Sequence, residues 1–99
     1  MILHTINKSP FSNSSFTECL RLCTSGNSIL FIEDGVYAAK DNTEFSQLIE
    51  AYPEINFYAL SADVEARGLT DLLNKHVKIT DDTGFVKLCT QHKSVQSWY

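Results

Sequence analysis

The chain has 99 residues, 43% of them hydrophobic and 20% charged, which describes one folded domain rather than a disordered segment. Eight basic against twelve acidic residues give a net charge of -4, and the basic residues are scattered singly. That excludes the electrostatic footprint of a protein gripping nucleic acid. No apolar run approaches the roughly 20 residues that span a bilayer, and Met1 leads into an apolar run without a basic leader, so a cytoplasmic location is expected.

Taken in order, Ile2 to Ile6 reads as a short strand and Asn7-Lys8-Ser9-Pro10 as turn chemistry. Ser12, Asn13, Ser14 and Ser15 offer caps for a helix from Ser15 to about Thr24, which Gly26-Asn27 ends. The run S-I-L-F-I-E over Ser28 to Glu33 holds four consecutive apolar residues, the mark of a strand buried on both faces. Glu33-Asp34-Gly35 then turns the chain abruptly into a short helical run over Gly35 to Lys40. Thr43 can cap a helix through Ala51, which Pro53 closes. Ile55 to Leu60 reads as a third strand, and Ser61 as the cap of a short helix stopped by Gly68. Leu69 to Lys75 suits another helical turn, and Val77 to Thr80 a fourth strand. Asp81 caps a helix through about His92, and Ser94 to Tyr99 is left as a tail. Strands alternating with helices predict an α/β fold: a small open, mostly parallel sheet of about four strands with helices on both faces. Such a sheet has two exposed edges, which favours assembly with partners.

Ligands of open α/β sheets gather outside the carboxyl ends of the strands. Asn7 to Pro10, Glu33 to Gly35, Ser61 to Asp63 and Asp81-Asp82 map there. With four glycines in the chain, none of these stretches makes a phosphate cradle. Asp34, Asp63 and Asp81 resemble an acidic pocket, yet each stands where a helix wants an N-cap. Three cysteines, Cys19, Cys23 and Cys89, fit neither a disulfide framework nor a zinc knuckle. Cys19 and Cys23, four residues apart, share the apolar face of the first helix, where free cysteine commonly packs as a core residue. Cys89 reads as packing beside Leu88, and His4 as a satisfied structural histidine. Trp98-Tyr99 either docks on its own domain or fills a pocket on a partner.

Several stretches ring together: I-L-H-T-I-N-K-S-P-F from Ile2, C-L-R-L from Cys19 with Gly26 beyond, I-E-D-G-V-Y-A-A from Ile32, Y-A-L with D-V-E-A-R-G-L-T, D-x-T-x-F-V from Asp81, and Q-S-W from Gln96. Their order and spacing resemble the TusB/DsrH family from Ile2 to Trp98. The resemblance implies a small α/β subunit of sulfur-relay complexes, in which persulfide sulfur moves between thiols without a metal or organic cofactor. It implies TusC-like and TusD-like partners, with a TusE-like acceptor, in 2-thiolation of the tRNA wobble uridine. The alternative is a DsrH-like subunit with DsrF-like and DsrE-like partners in sulfur oxidation. In both complexes the principal sulfur-carrying cysteine belongs to another subunit, so this chain is expected to be non-catalytic. T-E-C-L places Cys19 at the position where DsrH-like members carry a thiol, which makes Cys19 the candidate sulfur carrier. Such a carrier has to be accessible, with a lowered thiol pKa.

Overall fold

The computed structural model describes all 99 residues, as five parallel strands in the order β4-β3-β2-β1-β5. The strands are β1 (Ile2–Ile6), β2 (Ser28–Phe31), β3 (Asn56–Leu60), β4 (Val77–Thr80) and β5 (Ser94–Trp98). The helices are α1 (Ser15–Leu22), α2 (Glu44–Glu50), α3 (Ser61–Ala66) and α4 (Asp82–Gln91), with a 3-10 helix at Glu33–Ala39. The expected α/β architecture is present with one more strand than the sequence pattern suggested. The segment read as a tail is β5, which pairs along the whole of β1 from Ile2 opposite Ser94 to Ile6 opposite Trp98.

The first three crossovers step in one direction, from β1 out to β4. The last, through α4, returns across the sheet to the far side of β1. Right-handed crossovers that reverse direction must place their helices on opposite faces. The core divides accordingly. On one face Phe16, Cys19 and Leu20 of α1 pack with Ile6, Ile29, Phe31, Phe57 and the inner sides of the 3-10 helix and α2. Phe16 meets Phe31 edge-on with ring centroids 5.2 Å apart. On the other face only Leu88 of α4 joins Leu3 and Leu30 in full burial. Burying a side chain such as Phe16 or Phe31 contributes roughly 1.5–3 kcal/mol, so most of the stabilisation lies on the first face. β2 is buried at all four positions, as its apolar run requires.

Local signals account for most helix ends. The Thr43 hydroxyl accepts from the Ser46 amide at 3.1 Å, and the Asp81 carboxylate accepts from Gly84 N–H at 2.8 Å. Asn13 Oδ1 accepts from Ser15 N–H at the start of α1. Gly26 and Gly68 take positive φ, 89° and 67°, where a side chain would strain the backbone. Two readings change. Ser61 is the first residue of α3 rather than its cap, since Leu60 stands at that position without a side-chain bond. Leu69 to Lys75 forms turns rather than a helix, and Leu73 bridges Lys40.

Candidate functional site

At the carboxyl ends of β1, β2 and β3, the stretch Glu33-Asp34-Gly35 meets the start of α3. Asp34 and Asp63 are not caps there. The Arg67 guanidinium holds Asp34 through Nε at 3.0 Å and Nη2 at 2.9 Å, while Nη1 donates to the Asp63 carbonyl at 3.2 Å. The Asp63 carboxylate in turn accepts from Glu33 N–H at 2.7 Å. That bond secures Glu33 at φ 49°, a left-handed conformation that costs a non-glycine residue about 1–2 kcal/mol. Gly35 closes the junction: a Cβ there would overlap the Ile6 carbonyl oxygen. The place where a ligand would sit is thus filled by the chain's own ion pairs. The three surface concavities, about 180, 640 and 300 Å³, are lined by neither Asp34 nor any cysteine.

The chemistry gathers instead around α1. Its first-face residues lie over β1, so Cys19 and Cys23 come down beside His4 in the middle of that strand. The two Sγ atoms are 3.9 Å apart, and a ring nitrogen of His4 completes a cluster whose ligand-type atoms all lie within 4.8 Å of one another. Cys19 is fully buried and Cys23 half-buried. The two sulfurs are hydrogen-bonded to each other, and the Cys19 thiol pKa is raised by that bond, by burial and by the neighbouring charge. The Cys23 pKa is lowered, first by the Cys19 hydrogen bond and then by one from the Asn27 side chain, against the opposing effect of burial. Asn27 is itself fixed, since its Oδ1 accepts from Ile2 N–H at 3.2 Å. Of the two thiols, Cys23 is the more accessible and the one whose pKa is lowered.

His4 is 4% exposed, and burial lowers its pKa, so the ring is neutral at pH 7. Trp98 Nε1–H donates to His4 Nδ1 at 3.1 Å. Indole nitrogen is only a donor, so Nδ1 must be the acceptor and the ring proton sits on Nε2. Nε2 is buried and has no partner. His4 is thus half satisfied, not fully as expected. While the Trp98 bond stands neither ring nitrogen offers a free lone pair, so the cluster has the composition of a metal site without its donor chemistry. The terminal aromatics divide: Trp98 docks against the core and His4, whereas Tyr99 is 80% exposed. Cys89 packs against Leu3, Leu30 and Leu88.

A small open parallel sheet with a two-cysteine, one-histidine cluster under its first helix defines an α/β subunit with thiol chemistry available and no built ligand pocket at its strand ends. The relatives carry the assignment further. A family model described as DsrH like protein matches residues 8–95. Protein TusB of Escherichia coli strain K12 is 37% identical over 97 residues, covering 98% of this chain and 100% of its own length. Protein TusB of the Escherichia coli strain ATCC 8739 matches equally, at 37% over the same span. The chain belongs to the TusB/DsrH family. Among solved structures, the ychN protein of E. coli superposes with a TM-score of 0.85 at 17% identity, covering 97% of both chains. The protein of unknown function MTH1491 from Methanobacterium thermoautotrophicum gives 0.74 at 17% identity, covering 97% of this chain and 96% of its own. These two likenesses concern the fold alone.

Proposed function

We propose that this chain, as a single DsrH/TusB-like domain, is a non-catalytic subunit of a TusBCD-like sulfur-relay complex. In this reading it works in the cytoplasm beside TusC-like and TusD-like subunits, and the complex delivers sulfur through a TusE-like acceptor for 2-thiolation of the tRNA wobble uridine. The observation that carries the proposal is the 37% identity to protein TusB over 98% of this chain and 100% of that protein. Three features support a role in assembly. The sheet ends in two open edges, β4 and β5. Its second face is covered by a single helix. Leu22, Val86 and Val95 stand exposed. No helix is long and apolar enough to cross a membrane. In this reading the principal sulfur-carrying thiol belongs to a partner, and the burial and raised pKa of Cys19, the thiol expected to carry sulfur here, support it. Any sulfur carried by this chain enters through Cys23.

The test is co-expression with the TusC-like and TusD-like chains of the same organism, together with a deletion strain. A stable three-chain complex and loss of 2-thiouridine on deletion are expected. A complex with DsrE-like and DsrF-like chains, with thiolation unchanged and sulfur oxidation impaired, would replace this reading by the DsrEFH one.

A further inference from the structure

Four residues along a helix set Cα atoms about 6 Å apart, within the span of a disulfide. Cys19 and Cys23 have this spacing, and the Cys23 amide still bonds to the Cys19 carbonyl at 3.1 Å. Their sulfurs must close from 3.9 Å to about 2 Å to bond. Cys23 stands at the C-cap of α1 with extended dihedrals, φ -72° and ψ 142°, so it can move without unwinding a helical turn. The two thiols also differ in access, one half-exposed and one fully buried. A second observation points to the same place. The buried Nε2–H of His4 is a donor without an acceptor, in a cluster whose only other polar atoms from its members are these sulfurs and the Nδ1 already taken by Trp98. A negatively charged sulfur is the acceptor that such a donor lacks.

We propose that Cys23 and Cys19 form a working dithiol that exchanges with the S–S bond of an incoming disulfide or persulfide, Cys23 attacking and Cys19 resolving. In the first step the Cys23 thiolate bonds to one donor sulfur, the donor S–S bond breaks, and the other donor sulfur leaves as a thiolate. In the second step the Cys19 sulfur attacks the Cys23 sulfur. The Cys19–Cys23 bond forms, the Cys19 proton passes to the departing sulfur, and the leaving group is a thiol, or hydrogen sulfide where a sulfane sulfur was taken up. Two thiols are oxidised by two electrons and the donor S–S bond is reduced by two. A small thiol such as glutathione reverses the closure by the same exchange. Cys19 is fully buried and Cys23 half-exposed, so the donor meets Cys23 first.

The test uses the full chain with glutathione disulfide and, separately, glutathione persulfide, followed by alkylation and peptide mapping. With either probe the wild type should lose the free thiols of both Cys19 and Cys23 to one internal disulfide and keep Cys89 free. The persulfide arm should also release sulfide. Cys19→Ser should retain glutathione, or the sulfane sulfur, on Cys23, and Cys23→Ser should leave Cys19 unmodified. Circular dichroism of each variant establishes that it is folded, and Cys19→Ala serves if the serine is not tolerated in the core. Glutathione remaining on Cys23 of the wild type without closure would overturn the resolving role. Modification of Cys19 in Cys23→Ser as fast as of Cys23 in Cys19→Ser would overturn the order of attack. The exchange involves no partner subunit, so its outcome is separate from that of the co-expression experiment.

Discussion

Replacing Trp98 by phenylalanine keeps an aromatic ring on β5 and removes the one N–H that reaches His4 Nδ1, at 3.1 Å. His4 is 4% exposed, so water does not take the donor's place. Leaving a buried acceptor unpaired costs about 1–3 kcal/mol. A tautomer switch does not abolish that cost, because it moves the orphan from one ring nitrogen to the other. In a domain of this size each kcal/mol lowers Tm by about 4–8 °C. The decisive measurement is a double-mutant cycle by urea denaturation at pH 7.5, with Trp98→Phe made in the wild type and in His4→Leu. The full cost should appear in the wild type and mostly vanish when the imidazole is absent. Additivity within about 0.3–0.5 kcal/mol would refute the reasoning, since Trp98 would then stabilise β5 by packing alone.

Burial lowers the His4 pKa from 6.5, so between the folded and unfolded values the unfolded chain binds a proton that the folded chain does not. Stability from this group is therefore fully present above about pH 6.5 and is lost as pH falls from there through the lowered folded value, with a slope of at most about 1.4 kcal/mol per pH unit. Denaturation curves between about pH 5.5 and 7.5 (roughly one unit either side of the ordinary imidazole value) should show this slope in the wild type and a shallower one in His4→Leu. Gly35→Ala should destabilise more than Gly84→Ala. The added methyl meets the Ile6 backbone at the first site but chiefly the Thr80 side chain, which can rotate, at the second. Overpacking against fixed backbone costs roughly 1–3 kcal/mol, and equal urea midpoints for the two variants would contradict this account.

The sequence pattern located every element with an apolar period or a cap, and missed what depends on distant residues. β5 escaped because its pattern, S-V-Q-S-W, carries only Val95 and Trp98 as apolar positions. An edge strand covered by little else has no second apolar face to announce it, and the first four residues of β5 are exposed. Asp34 and Asp63 were read as caps because capping is a local rule, whereas Arg67 reaches Asp34 across 33 positions of the chain. Gly84 in the first turn of α4 is explained by Thr80, whose hydroxyl lies where a Cβ would go, and its amide is the one that Asp81 caps. The helical spacing of Cys19 and Cys23 placed them on one face correctly. Which of the two keeps access to solvent depends on where α1 ends, and the helix stops at Leu22 rather than running on to Thr24.

The two ends of the sheet are built differently. The carboxyl ends of β1, β2 and β3 are closed by a junction of the chain's own residues. Arg67 neutralises Asp34, Asp63 fixes Glu33, and Gly35 lies against Ile6. A right-handed crossover returns its helix antiparallel to the strands, so α1 ends near their amino termini. The contacts there agree: Asn27 holds the Ile2 amide, and Gly26 borders Met1. Cys23 is therefore presented beside the amino end of β1, on the face that α1 covers and beneath the edge added by β5. Its neighbours come from segments far apart in sequence, with His4 from β1 and Asn27 from the turn before β2, and Trp98 of β5 bonds that histidine in turn. The same last crossover that places β5 beside β1 brings Trp98 to His4 and fixes the imidazole proton on the nitrogen that Trp98 leaves free. The added strand thus does more than widen the sheet, because without it the histidine beside the thiol pair would have no fixed tautomer.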